Sequence, residues 1–507
     1  MLWLALALSC FAMPSAWAAT PTKTSKPASK STSTRLAEQQ RQIDAQRDSI
    51  AAQRARIAEQ RSQLDAQHAL TSDQAAQLAA QRAQLDSLER RLDEMSRRVE
   101  DLSSQAGMPA LEQQNLQKRL ADLEAAAKKV PELPPDMVTA GEFPGSIRIP
   151  GSDAAIKFGA RIRTAGVLTL NPLGTDDRFL TNSIPVGEVA SGEAKRTSIS
   201  ARASRLNIEF RTPGGREQVR AFFEGDFAGS DTVNAFRLRH AYAQYIGFIV
   251  GQTWSTFSDP AANHLDLDFE GVSSENLIRQ PQIRYWWGKE GGTRRAVAIE
   301  TPRVSITGGQ GVNLMPDAVV RAFYVLPKGG HLQVAGVFRQ IRAQSLAGDV
   351  RTVWGGGGTV SGVVLVPIRQ LDDRIIFQVN GGVGIARYIN DLNSLGGQDA
   401  VFDTTSGALK ALPALGWYIS YEHVWKQWAS AEMNLRSMAM WSYVDVQNFN
   451  FQPGDSYDHT NRFALNLVIS PSNRVDMGIE YIYGNRYDKN GQSGSANQFQ
   501  LVGLFRF

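Results

Sequence analysis

The sequence predicts a transmembrane antiparallel β-barrel of about 16 strands preceded by an N-terminal α-helical coiled coil. Three observations predict it. The chain ends FQLVGLFRF, with Phe499, Leu501, Phe505 and Phe507 on one parity and Gln500 and Arg506 on the other. Successive strand residues point to opposite faces, so this end presents one apolar face and one wet face. Upstream segments repeat the alternation, and short turns alternate with long links between them, as in bacterial outer-membrane barrels. A strict heptad fills the N-terminal part.

Composition agrees with this class. The chain has 507 residues, 42% hydrophobic and 21% charged, with no apolar run of about 20 residues, so it has no spanning helix. A barrel needs no such run, because only every second strand residue meets lipid. A net charge of +4 is too small to argue for nucleic acid. The one cysteine, Cys10, falls in the leader, which leaves no disulfide or thiolate metal site in the mature chain.

Residues 1–18, MLWLALALSCFAMPSAWA, read as a secretory signal peptide with an Ala16-Trp17-Ala18 cleavage box. The leader departs from pattern in having no Lys or Arg ahead of its apolar core. Leu8-Ser9-Cys10 makes a poor lipoprotein box, because Ala7 stands where a large aliphatic residue is preferred. Residues 19–35 are rich in Thr, Ser, Lys and Pro and form a disordered polar segment.

Residues 36–106 form the coiled coil. Leu36, Ile43, Ile50, Ile57, Leu64, Thr71, Leu78, Leu85, Leu92 and Val99 stand seven apart at the a positions. Gln39, Gln46, Gln53, Gln60, Gln67, Gln74 and Gln81 fill the d positions, followed by Leu88, Met95 and Leu102. A sustained a/d seam is satisfied by packing on other helices. Stacked glutamine layers suit the roomier axis of a trimer, in a rod roughly 100 Å long. Residues 107–142 contain a break at Gly107-Met108-Pro109, a shorter helix, and a linker stiffened by Pro131, Pro134 and Pro135.

Residues 143–507 are Gly-rich, aromatic and alternating. Sixteen strands are expected near 155–170, 196–211, 217–228, 234–246, 247–254, 278–288, 292–301, 316–326, 331–344, 350–365, 374–390, 411–424, 427–444, 459–470, 474–486 and 496–507. Even-numbered strands end in short turns such as Thr212-Pro213-Gly214-Gly215. The long links 171–195, 255–277, 302–315, 391–410 and 445–458 follow odd-numbered ones. Trp286, Trp287, Trp425, Trp428, Tyr481 and Tyr483 are expected in interfacial girdles.

Alternation also assigns the lumen. Leu206, Ile208 and Phe210 oppose Arg205, Asn207 and Glu209; Val219, Phe223 and Phe227 oppose Arg220, Glu224 and Asp226; Phe236, Leu238 and Tyr242 oppose Arg237 and Arg239. Arg279, Arg284, Arg294, Arg321 and Arg339 also fall at polar positions. The lumen is Arg-rich, and guanidinium rings select carboxylate and phosphate anions. The competing reading is that Glu209, Glu224 and Asp226 pair with these arginines and merely solvate the wall. Link 255–277 carries Asp259, Asp266, Asp268 and Glu270, which face a basic wall if it folds inward as a constriction loop; otherwise it is a surface or subunit-contact loop.

Signals for chemistry are poor. His68, His240, His264, His331, His423 and His459 show no metal spacing, and the Gly355–Gly358 run lacks the Lys-Ser/Thr of a phosphate loop. A hydrolase would need Ser, His and an acid brought together on the wall. No enzyme activity and no cofactor are expected.

The stretches GSIRIPGSDAAIKFGARIRTAG (145–166), FFEGDFAG (222–229) and LRHAYAQYIGFIVGQTWSTFSDP through RQPQIRYWW (238–287) resemble those of the DcaP-like trimeric outer-membrane porins. The resemblance implies a sixteen-stranded trimer passing small anions, notably dicarboxylates, through an Arg-lined constriction. Arg239, Arg279 and Arg284 within these motifs, and Arg237 directly ahead of the third, are the residues it implies. The Tyr-Trp-Trp run after Arg284 is bulkier than the family pattern, and residues 391–410 match poorly. The expected protein is a passive, anion-preferring homotrimer in outer-membrane lipid, with its coiled coil in the periplasm and peptidoglycan as a candidate partner. The alternative is a structural tether or adhesin in which the rod does the work and the barrel only anchors it.

Overall fold

The computed structural model describes residues 139–507, apart from 188–194, 231–233, 263, 290, 328, 367–372, 395–397 and 426–432. It also describes Arg90, Glu94, Arg97, Lys118 and Arg119. The chain divides into two units, residues 1–133 and 134–507. In the first, those five residues are helical and exposed. The signal peptide, the polar segment and the a and d positions of the heptad lie outside the described residues.

The second unit is one closed wall. Its strands are β1 (Ala155–Thr169), β2 (Arg196–Ser200 and Arg205–Pro213), β3 (Gln218–Asp226), β4 (Arg237–Tyr245), β5 (Phe248–Trp254), β6 (Arg279–Gly288), β7 (Arg294–Glu300) and β8 (Asp317–Val325). They continue with β9 (His331–Ser345), β10 (Val350–Val366), β11 (Asp373–Val383), β12 (Pro413–Val424), β13 (Asn434–Val446), β14 (Tyr457–Ser472), β15 (Val475–Asp488) and β16 (Ser493–Arg506). Each is antiparallel to the next, and β16 returns to β1 with Phe505 opposite Ile162 and Arg506 opposite Arg161. The terminal Phe507 completes the seam, its N–H donating to the Ala160 carbonyl at 2.9 Å. Closure leaves no unpaired edge, which a lipid-facing sheet cannot tolerate.

Alternation sorts the faces as expected. Leu206, Phe223, Leu238, Ile283, Phe463 and Leu501 are exposed on the outer surface, while Gln280, Gln282, Asn466 and Gln500 are buried inside. Two irregularities break the simple parity. Between Ala165–Ser200 and Arg161–Arg205, four residues of β2 oppose three of β1, so Ile199 and Leu206 both face outward despite opposite parity. In β4, Glu224 pairs with His240 but Gly225 pairs with Leu238, which makes Arg239 the extra residue of a bulge. A bulge re-aims the side chains that follow it. Tyr242, expected outward with Phe236 and Leu238, therefore turns inward and accepts a hydrogen bond from Arg220 at 2.7 Å.

Strand β11 also stops earlier than the expected 390. Gly384 takes φ +69°, a left-handed turn that glycine allows, and the chain leaves the wall through Ala386–Tyr388 and Asn390–Ser394. The apolar Ile385, Tyr388 and Ile389 read as strand but are core residues; Tyr388 packs edge-on against Phe257 at 5.3 Å. Of the girdle aromatics, Trp287 is exposed, stacked on Tyr285 at 5.9 Å, whereas Tyr481 lies mid-strand, and Trp428 is outside the described residues.

The core is inside the barrel. Leu173, Phe179 and Ile184 of the link after β1 join Ala262 and Val272 of the link after β5. They pack on Ile376, Tyr418, Met438, Met440, Ala464 and Ile482 of the wall. A second cluster joins Phe257 and Ile278 to Ile385 and Tyr388 against Ala298, Val319, Ala335 and Val337, so the lumen is filled in part.

Candidate functional site: an arginine wall facing the inward loop

The link between β5 and β6, hereafter loop 3 (residues 255–278), folds into the barrel. At its roots Thr256 N–H donates to Glu300 at 2.6 Å and Asn276 N–H to Gln378 at 2.8 Å. Between them the loop reaches the far wall. The Leu265 and Leu267 amides donate to Glu422 (2.6 Å) and Glu480 (2.8 Å), and Ser274 N–H donates to Ser442 at 3.2 Å. Arg462 on β14 grips the loop centre, donating to Asp268 at 3.0 Å and to the Gly271 carbonyl at 2.6 Å. Buried backbone donors need such partners, and here the wall supplies them.

Loop 3 and the opposite wall bound a cavity of about 670 Å³ lined by nine arginines and five acids. Its framework is a row set by strand register. Arg161 on β1 stands directly opposite Arg506 on β16 and Arg205 on β2. Arg205 in turn faces Asp226, which faces Arg237. Like charges directly opposite destabilise a sheet. The row is therefore a cost to the fold.

The acids only partly compensate it. Glu224 contacts Arg239 at 3.0 Å and Arg205 at 3.6 Å, and Asp226 contacts Arg237 and Arg239, each at 2.8 Å. Two carboxylates thus serve three guanidiniums, and the β4 bulge places Arg239 between both. Arg506 pairs with Asp476. Among the described residues, Arg161, Arg163 and Arg279 have no ion pair. Arg163 donates to the Leu267 carbonyl and lies 5.9 Å from the Phe269 ring centre; Arg279 lies 4.4 Å over Trp254. Aromatic faces hold these cations in place without neutralising them.

On the loop side Asp266, Asp268, Glu270 and Glu275 line the cavity. Arg178 holds Glu270 at 3.5 Å. Burial would raise the Asp266 carboxyl, but His264 at 3.5 Å and the charge of Arg462 outweigh it and hold Asp266 below the usual range. Burial raises Asp268, only partly offset by Arg462. Among the described residues Glu275 has no such partner. Burial pushes its carboxyl up to about 7, His264 opposing and Asp266 and Asp259 adding to the shift.

Of the residues expected from sequence, Arg205, Arg237, Arg239 and Arg279 come together with Asp266, Asp268 and Glu270 at this cavity. Three others lie elsewhere. Arg220 is bound to Glu209 at 2.7 Å and to Tyr242. Arg284 donates to Thr256 at 2.8 Å and to the Trp254 carbonyl, bracing the loop root. Asp259 accepts from His331 (2.8 Å) and Ser361 (2.7 Å) and pins loop 3 to β9 and β10. Both partners bind that carboxylate, so the Ser361 hydroxyl is not set on the imidazole as a nucleophile would be. Arg339 is buried between Asp317 and Asp399, and Arg294 lies over Phe323. Sequence reasoning misses Arg161, Arg163, Arg178 and Arg436, and it places Arg506 on the wet face without joining it to the site. Arg161 and Arg163 flank the outward Ile162, so parity alone finds both.

A family model described as DcaP outer membrane protein matches residues 112–507. Among solved structures, the outer membrane channel DcaP of Acinetobacter baumannii aligns with a TM-score of 0.61 at 20% identity, covering 73% of this chain and 100% of that one. An anion-selective porin from Comamonas acidovorans aligns at 0.47 and 10% identity, covering 70% and 100%. The trimer form of OmpT from Vibrio cholerae aligns at 0.42 and 9%, covering 70% and 99%. No curated protein matches the chain. With a match spanning the whole barrel and the segment before it, the chain belongs to the DcaP outer membrane protein family.

Proposed function

We propose that this outer-membrane channel passes small anionic solutes, carboxylates and dicarboxylates foremost, by passive diffusion along its arginine wall. The observation that carries the reading is the in-register row Arg506–Arg161–Arg205. A fold gains nothing from three adjacent like charges, whereas a pore gains weak, reversible anion sites. The acids across the cavity add a transverse field that orients a solute as it passes. Flux follows the gradient.

The assembly proposed is a homotrimer. Strands β5 and β7 have seven residues each. Seven residues rise about 23 Å along the strand and, tilted near 40°, cover about 18 Å of an apolar band about 25 Å tall. A neighbouring barrel against this low stretch of wall supports its contact with the membrane. The chain enters β1 at the end bearing the short turns, which supports a periplasmic N-terminal segment, with peptidoglycan as its candidate partner.

Single-channel recording of the purified protein with succinate added tests the solute class. The expected result is transient, concentration-dependent block of the chloride current. Block by a small diamine, with none by succinate, contradicts it.

A further inference from the structure

We propose that Glu275 tunes this site toward anionic solutes that also carry an ammonium group, with acidic amino acids as the class, over plain dicarboxylates of equal length. The proposal rests on the anion-channel reading above and adds a second recognition element to it.

Four of the five acids in the cavity are already engaged with cations. Asp268 is held by Arg462, Asp266 by His264 at 3.5 Å and Arg462 at 3.7 Å, Glu270 by Arg178, and Asp476 by Arg506. Glu275 is different. It is 5% exposed and lines the cavity, and among the described residues its carboxylate has neither an ion pair nor a hydrogen bond. Its backbone is fixed on both sides: its N–H donates to the Val272 carbonyl at 3.2 Å, and its carbonyl accepts from Asn390 N–H at 3.0 Å. The side chain is thus carried into the lumen on a braced segment and left without a partner. A buried carboxylate without a partner is costly, so an ammonium that enters the cavity gains there what it cannot gain at the other acids.

Across the cavity, Arg161, Arg163 and Arg279 have no ion pair among the described residues. The open complement is three cations on the wall and one acid on the loop. Two carboxylates and an ammonium on one small skeleton match both sides, and a plain dicarboxylate leaves Glu275 facing its own charge. Specificity then arises from repulsion of one class as well as attraction of the other. The groups facing Glu275 are His264, Asp266 and Asp259 of loop 3 and Tyr418 of β12. With its carboxyl raised to about 7, Glu275 is neutral in mildly acidic medium and ionised in mildly basic medium, so the preference grows as pH rises.

The test is current block of the full-length protein in planar bilayers by aspartate against succinate, and glutamate against glutarate, at pH 6 and pH 8. In wild type at pH 8 the amino compound should gain residence time over its plain counterpart by about threefold to fivefold, the range of a partly solvated ion pair. The gain should shrink at pH 6 and vanish at both pH values in Glu275→Gln, while Glu275→Asp keeps it. An amino-to-plain ratio equal in wild type and Glu275→Gln, with succinate still blocking, overturns this proposal alone. Absence of block by any of the four solutes overturns the anion-channel reading and this proposal with it.

Discussion

Serine at Arg161, Arg205 and Arg279 together is expected to abolish the anion preference proposed for the open channel. At about 6 Å from a passing ion a full charge contributes about 0.7 kcal/mol in a water-like medium. Screening at 0.1 M salt leaves about 0.4 kcal/mol. Three such charges sum to about 1 kcal/mol, roughly a fivefold fall in local anion concentration and a matching rise in cations. Among the described residues two of the three have no ion pair, and Arg205 shares Glu224 with Arg239, at 3.6 Å. Arg220→Ser serves as the control. Its guanidinium is committed to Glu209 outside the cavity, so selectivity should stay as in wild type. Serine at Arg161 and Arg205 alone should also leave the protein no less stable than wild type in urea, because it removes like charges set directly opposite. A variant that keeps its anion preference shows that selectivity arises elsewhere in the lumen.

Arg462→Ala should have the second largest effect, and through the loop rather than the wall. Arg462 is fully buried and joins β14 to Asp268, Gly271 and Phe179. Removing one partner of a buried ion pair costs about 3–5 kcal/mol, because the other charge is left unpaired. The closed wall keeps its own ladder hydrogen bonds, so the penalty falls on the docking of loop 3. A cost of about 3 kcal/mol shifts the docked-to-undocked ratio more than a hundredfold. Recordings should show larger, fluctuating conductance with weakened anion preference, while the barrel keeps its heat-modifiable migration on gels. Unaltered conductance means that Glu480, Glu422 and Ser442 hold the loop without Arg462.

Strand parity carried most of what could be read from residues alone. It assigned Arg205, Arg237 and Arg239 to the lumen, and the run of long and short links set the strand order. Parity fails where one residue is inserted, and neither the Ala201–Ser204 turn nor the Arg239 bulge has a local signature. That is why Tyr242 was assigned to the wrong face. The same blindness hid the row itself. Arg161, Arg205 and Arg506 are far apart in sequence, and register, a property of paired strands, makes them neighbours. Loop residues were harder still. Asp259 and Asp266 belong to one acidic link, yet one pins it to β9 and β10 while the other faces the cavity, a difference fixed by His331 and Ser361 on the far wall. Ile385–Ile389 has the hydrophobic density of a strand, and only packing against loop 3 distinguishes it as core.

The zero-current potential of the purified channel across a tenfold gradient of potassium chloride tests the central claim most directly. Potassium and chloride diffuse almost equally in water, so the potential reports the lumen charge. The account predicts a potential of the sign for chloride preference, shrinking as salt is raised. A potential of the sign for potassium preference contradicts it.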